Sequence, residues 1–373
     1  MITVQRSNLA SALKRASKLL PRTPTIPALR TVRLAIDHEG IVFRSTNLEQ
    51  ALVEALPATT SERTTAVSIC VNVVPLLGIV NALPEHVSDV RITARPDHLI
   101  VETTKLPAGC ALADYPTIPR MPDRVQAMIE LPGDLMQSVR FVRSAVSKET
   151  YRAPLQGMLF DFANGNLVGC DGKHLHCAHL WERSKIANLL LPPSIFDVDV
   201  PTHLHVPQSG KNGVQEAFLI LENGYLAAKT LEGNYPDYLA IVRKEHLNTA
   251  VVNREELASA VEQALPMVNE RSPSCTLHLN DRFEIQAEDA DTKAEYQNEV
   301  SASLDGLEIK VSLNPHVLLA TLRTMPGQEV TLAFRKPDEA VHVVSDSGNH
   351  WALIMPLTLH NPTPAPSRVH AKQ

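Results

Sequence analysis

One spacing of apolar residues occurs three times in this chain, and nothing else in it restricts the fold as much. Leu9, Leu13, Ala16 and Leu20 fall at i, i+4, i+7 and i+11 within SNLASALKRASKLL. That is the buried stripe of an amphipathic helix. Ser7 is the expected N-cap, its hydroxyl accepting from a first-turn N–H. Lys14, Arg15 and Lys18 fall off the stripe and face outward. Leu135, Val139, Val142 and Val146 repeat the spacing, and so do Leu257, Val261, Ala264 and Val268. The offsets between first members are 126 and 122 residues. Each stripe follows a short strand-like run, ITV, AMIEL or TAVV. Recurrence of a whole strand–helix unit points to tandem domains.

A chain of 373 residues accommodates three such units, each large enough to bury its own core. The expected boundaries are 1–124, 125–246 and 247–359. The remaining 360–373, HNPTPAPSRVHAKQ, has three prolines and few apolar residues, so a disordered tail is expected. Net charge is −6, so any surface facing nucleic acid must be a local basic patch on an acidic body. Five scattered cysteines with no C-x-x-C pair fit reduced thiols in a cytoplasmic protein. The longest apolar run, 71–84, is too short to cross a bilayer. Residues 1–36 carry no acid, as a transit peptide would, but the same helix recurs deep in the chain.

In the first unit, strands are expected at 32–36, 41–45, 51–56 and 66–71. A second helix is expected over 72–82, stopped by Pro84. The third unit repeats this: a helix opens at Asn314 and stops at Met325-Pro326, with the same internal distances. VRITA follows the first and VTLAF the second. The middle unit matches less well. Its second helix is expected after the strand at 203–207, where QSGKNGVQEA is broken by glycine. Residues 180–200 read as an insertion. The first two units both close on Tyr-Pro, at Tyr115-Pro116 and Tyr235-Pro236.

Five short pieces, in order, carry a resemblance: TPTIPAL at 23–29, SKETYRAPLQGMLF at 147–160, CDGKHL at 170–175, GNYPDY at 233–238 and IMPLTL at 354–359. With the threefold repeat, the chain resembles the bacterial DNA polymerase III beta subunits, the sliding clamps. The resemblance implies an α+β fold of three tandem DNA-clamp domains, each with two helices backed by antiparallel sheets. It implies a head-to-tail homodimer forming a six-domain ring around duplex DNA. Such a ring is a non-catalytic, cytoplasmic processivity factor without a cofactor. It tethers the DNA polymerase III catalytic subunit and the clamp loader through short linear peptides.

Residue by residue, the resemblance places DNA contacts at Lys14, Arg15, Lys18, Arg22, Arg140, Arg143, Lys148, Tyr151 and Arg152. It places the peptide pocket at Leu155, Cys170, Gly172, His174, Leu175, Pro236, Ile241, Asn314, Val317, Leu353, Met355, Pro356 and Leu357, with Met267 near the dimer seam. The departures from it are specific. The helix at 72–82 has no basic residue, and Arg254 is offset by Glu255, Glu256 and Glu262. Ala240 and Val317 stand where relatives often carry basic or aromatic residues, and His174 where an arginine is common. The tail follows the strand that normally ends the chain, so it is expected near the pocket, partly covering it. The competing reading is a protein-binding module that no longer encircles DNA.

Other chemistry finds little support. Cys170, His174, His176 and Cys177 lack the spacing of a zinc finger, and strand alternation turns Cys177 to the opposite face. Asp289 and Asp291 begin a calcium loop, but Lys293 follows and the glycine is missing. Gly210-Lys211 lacks the rest of a phosphate loop, and no nucleophile-elbow or dinucleotide motif occurs.

Overall fold

All three stripes become helices at the same place in the same local topology. The computed structural model describes residues 1–21, 23–60, 66–149, 151–208, 216–242, 247–289 and 291–357. Its α-helices are α1 (Arg6–Leu19), α2 (Val73–Ala82), α3 (Leu135–Arg143), α4 (Arg254–Ala264) and α5 (Pro315–Thr324). The first three stripe residues of α1, α3 and α4 are buried. Ser7 is not the cap. α1 starts two residues earlier than a Ser7 cap would give, with Gln5 flanking it and no side-chain cap. The reason is the preceding strand: the Arg6 N–H donates to Ser88 O at 2.8 Å, so the strand ladder sets where the helix begins.

Strand pairing repeats with the helices. Strands Ile2–Gln5, Val125–Glu130 and Asn248–Asn253 precede α1, α3 and α4. They pair antiparallel with Asp89–Ala94, His203–Pro207 and Glu329–Phe334 respectively. A second set of pairs joins Val67–Asn72 to Thr31–Ile36, Leu189–Leu191 to Met158–Asp161, and Ile309–Leu313 to Cys275–Leu279. In the outer repeats, α2 and α5 sit between the second and the first of these strand types.

The same alignment puts the middle repeat's second-helix position between Leu189–Leu191 and His203–Pro207. It holds one 3-10 turn, Pro193–Phe196. The described residues thus hold five α-helices, two in each outer repeat and one in the middle repeat. Prolines at 192, 193 and 201 leave seven residues between them, fewer than the ten of α2. Nor is 180–200 an insertion, because Leu189, Leu191, Ile195, Phe196 and Val198 are all buried. The expected site after 203–207 falls largely on 209–215, outside the described residues.

The chain forms two compact units. The first comprises 1–139, 148–167 and 180–235. One of its sheets orders Thr59–Thr60, Ile2–Gln5, Asp89–Ala94, His98–Val101 and Thr104–Pro107 side by side. Its eight-stranded sheet runs from Val125–Glu130 to Val67–Asn72, and at its centre Gly224–Lys229 pairs with Gln50–Pro57. That pairing fuses the first and middle repeats. Behind these sheets α1 and α2 close a core that includes Phe43, Leu13, Val73 and Leu99.

The second unit comprises 140–147, 168–179 and 236–373. Within it His174–His179 pairs with His350–Ile354, fusing the middle and third repeats. Its separate four-stranded sheet orders Glu295–Val300, Phe283–Glu288, Cys275–Leu279 and Ile309–Leu313.

Gly224 tests the first fusion. A Cβ there would lie 1.9 Å from the Val53 carbonyl oxygen, backbone that cannot yield without breaking the ladder. Gly224→Ala is expected to destabilise the first unit by roughly 2–4 kcal/mol. Denaturant unfolding measures the loss, and hydrogen exchange places it at the amides of 50–57.

Candidate functional site

Consider first the basic residues. Lys14 and Lys18 are exposed one turn apart on α1. Lys18 Nζ also reaches Val198 O at 3.4 Å. Arg15 behaves differently from the expectation. Its Nε donates to Glu54 Oε1 at 2.7 Å and its Nη1 lies 3.2 Å from Asp199 Oδ2. Only 19% of its side chain is exposed. Arg15 is thus drawn into the first unit and held there by two carboxylates. Glu54 lies in the middle of the fused sheet and is almost wholly buried. Burial pushes its carboxyl up to about 7, against the opposing pull of Arg15.

Arg22 lies outside the described residues. Lys148, Tyr151 and Arg152 are exposed on the short stretch before the 3-10 turn Ala153–Gln156. The Arg152 guanidinium carbon stands 5.5 Å from the centre of the Tyr151 ring, a cation–π contact. In the second unit, Arg140 and Arg143 are exposed on the last turn of α3, where basic side chains complement the helix dipole.

The remaining helices add little positive charge. Val74 on α2 is 77% exposed, and no charged residue lies on that helix. Arg254 of α4 donates to Gly327 O and Leu322 O, both at 2.8 Å, and so closes the end of α5. Arg323 pairs with Glu262.

The expected peptide pocket resolves mostly into the second unit. Leu175 and Leu353 are register partners in the fused sheet and are buried. The Asp171-Gly172 turn leads into this strand, with Gly172 at φ 90°, a conformation that suits glycine. Asp171 Oδ1 accepts from Lys173 N at 2.7 Å and His174 N at 2.9 Å, and lies 3.0 Å from His174 Nδ1. Burial raises the Asp171 carboxyl, but the His174 ring and these backbone N–H groups outweigh it and hold it down at about 2. Cys170 Sγ accepts from Gly172 N at 3.2 Å, which fixes the turn from inside.

Around this strand the second unit exposes an apolar set: Ile241 at 51%, Met355 at 48% and Leu357 at 37%. Pro236 is exposed, and Val317 and Pro356 are half-buried. Asn314 has a structural duty: its side chain caps α5 by accepting from His316 N at 2.9 Å. Leu155 is buried in the first unit. Met267 is half-buried on the 3-10 turn that follows α4.

His176 is fully buried and stacks on Phe141 at 4.3 Å. Its Nδ1 lies 2.7 Å from Phe141 O and its Nε2 2.9 Å from Thr321 Oγ1. Burial lowers its pKa to about 3, so the ring is neutral. Among the described residues no three His, Cys, Asp or Glu side chains form a metal-binding group. No helix among them is long and apolar enough to cross a membrane.

Sequence reasoning missed Glu54 and Asp199. Their alternation and loop positions carried no sign that either would meet Arg15.

Two family models match the chain. The DNA polymerase III beta subunit N-terminal domain matches residues 1–119 and the C-terminal domain of the same subunit matches 240–358, together more than half of the chain. Among curated proteins, the beta sliding clamp of Chlamydia muridarum is 22% identical, covering 96% of this chain and 99% of its own. That of Haemophilus influenzae is 23% identical over 88% and 92%. Among solved structures, the DNA polymerase sliding clamp of Bacillus subtilis superposes with a TM-score of 0.83 at 18% identity, covering 95% of this chain and 98% of its own. The DNA polymerase III subunit beta of Pseudomonas aeruginosa gives 0.81 at 21% identity, over 96% and 100%.

Glu54 offers a pH test. Its folded pKa, about 7, lies above the ordinary value of 4.5, so the folded chain holds the extra proton between those values. Stability from this group is full below about pH 4.5 and is lost as pH rises through 7. Glu54→Gln removes the titration. The parent's stability should fall between pH 5 and 8 by up to about 3 kcal/mol more than the variant's, read by urea unfolding.

Proposed function

This chain belongs to the DNA polymerase III beta-subunit family, and from that membership we propose that it is a sliding clamp that encircles duplex DNA and tethers replication proteins. The three domains are 1–124, 125–246 and 247–359. Two copies join head to tail into a six-domain ring, domain one of each meeting domain three of the other near Met267. Its role is mechanical retention, and the chain itself carries out no reaction.

One observation supports the closure most directly. Among the described residues, the five-stranded sheet ends on Thr104–Pro107 and the four-stranded sheet ends on Glu295–Val300. Each leaves a row of backbone donors and acceptors unpaired, a template for another strand. One lies in the first repeat and one in the third, as a head-to-tail seam requires. Lys105 on the first edge is exposed, and so is Glu295 on the second, giving the two edges one charge of each sign, while Glu299 already pairs with Arg282.

A ring holds DNA by topology, so its phosphate contacts need only centre the duplex. Lys14, Lys18, Arg140, Arg143, Lys148, Tyr151 and Arg152 are the contact set. Arg15 contributes less because its charge is already paired. The α-helices of both chains would line the hole. Partner peptides dock on the apolar set around Leu175, Ile241, Met355 and Leu357, where aliphatic and methionine side chains accept varied anchors. Polymerase and clamp-loader peptides are the occupants expected there.

A stable dimer near twice 40.9 kDa is expected in solution. After clamp-loader action the ring should stay on nicked circular DNA and leave when the circle is linearised. A monomer, or release from the intact circle, would favour the protein-binding module instead. Lys14→Ala and Arg140→Ala should each flatten the salt dependence of DNA binding by about one unit of log–log slope. Met355→Ala should weaken capture of a polymerase-derived peptide by roughly tenfold, read by fluorescence anisotropy.

A further inference from the structure

The second unit also carries an open cleft. It has a volume of about 1230 Å³ and lies over the outward face of the four-stranded sheet. Its floor is the row Thr276, Gln286 and Gln297, which are neighbours across three strands. Pro273 and Tyr296 form part of the wall. Glu288, Asp291 and Glu295 stand around it, all exposed, with Arg271 the single basic residue in the lining. No ion pair engages these three carboxylates among the described residues, so the rim is net acidic.

Leu357 is part of the same lining. Its N–H donates to Ser312 O at 2.8 Å, on the strand that forms one edge of this sheet. Ser312 in turn bonds Thr276 on the cleft floor at 2.9 Å. The polypeptide therefore reaches the mouth of the cleft as it passes residue 357. The segment beyond it, 358–373, contains no acidic residue and carries Arg368 and Lys372. Pro362, Pro364 and Pro366 alternate, a spacing that favours extended backbone with little entropy to lose on docking. Sixteen residues at about 3.1 Å each reach on the order of 50 Å. Four strands span only about 15–19 Å.

We propose that residues 358–373 dock in this cleft of their own chain, prolines along the wall and Arg368 and Lys372 against the acidic rim. Continuity selects this occupant over a foreign peptide: the segment is tethered at the mouth, so its effective concentration is far above that of a free competitor. Charge complementarity then selects the acidic cleft over the apolar set around Met355. This differs from the expectation that the tail covers the peptide pocket. It also does not depend on ring closure, since all its parts lie within one chain.

Hydrogen exchange on the full chain and on a chain cut after Leu359 tests it. Amides of 271–276 and 284–297 should exchange at least fivefold more slowly in the full chain. A synthetic 360–373 peptide added to the cut chain should restore the protection, less well at 500 mM than at 50 mM sodium chloride. Glu288→Lys should weaken that peptide severalfold. Its side chain is exposed and lies off the edge strand, so the thermal midpoint should hold and separate lost docking from lost folding. Identical exchange in full and cut chains would overturn the proposal. So would cleft protection that survives the cut, or protection that moves to 170–175 and 353–355.

Discussion

Each repeat rests on a strand that runs straight into a helix and pairs with the strand returning from the next helix. The pairing is sealed by one repeated bond. Arg6 N–H donates to Ser88 O, Leu131 N–H to Thr202 O and Arg254 N–H to Gln328 O, at 2.8, 2.9 and 2.8 Å. These three residues are therefore equivalent. In the outer repeats the residue is arginine, and its guanidinium closes the end of the second helix. Arg6 bonds Val80 O, Asn81 O and Pro84 O. Arg254 bonds Leu322 O and Gly327 O. A helix C-terminus leaves carbonyls without partners, and a fixed cation satisfies them while opposing the helix dipole. Among the described residues the middle repeat shows no second α-helix, and there the residue is a buried leucine. Arginine and helix are present or absent together.

The shortened middle repeat changes what α1 does. Where a second helix would stand, the chain turns once and runs through Val198 and Asp199 toward Pro201. Asp199 and Glu54 take hold of Arg15, and Val198 O receives Lys18. A buried carboxylate needs a partner, since leaving it charged and alone costs several kcal/mol. Arg15 therefore stabilises the fused sheet at the expense of the outward basic face. The lack of positive charge on α2 and α4 has a different origin, being already present in their sequences. Together they leave the helices with little free positive charge.

How much of this was legible in advance depended on the range of the interaction. The stripes, the Pro84 and Pro326 stops and the Asn314 cap are local signals, and all appear in the structure near their expected places. Ser7 failed as a cap because a strand ladder, not a side chain, sets the helix start. The middle second helix was sought after 203–207 because its true position holds too little helical pattern to find. Only strand pairing identifies it. Arg15 looked outward because its partners lie 39 and 184 residues away in sequence, and no periodicity encodes such a contact. The acidic cleft was equally hidden: its carboxylates come from a loop and two strands that meet only in the folded sheet.

The second fusion solves a different problem from the first. Strand His174–His179 brings His176 into full burial beside α3 and α5. A charged imidazole there would pay heavily for desolvation, so the ring stays neutral and uses both nitrogens. Nδ1 lies against Phe141 O and Nε2 against Thr321 Oγ1, whose hydroxyl donates to Val317 O. The stacked Phe141 ring covers the remaining face. His176 therefore has partners at both nitrogens, and His174 lies 3.0 Å from Asp171. The buried ring fastens the middle repeat to the third, where the first fusion rests on a strand ladder with the Arg15–Glu54 contact beside it. Because a neutral histidine does not titrate near pH 7, this joint should be insensitive to the proton that Glu54 exchanges at the other.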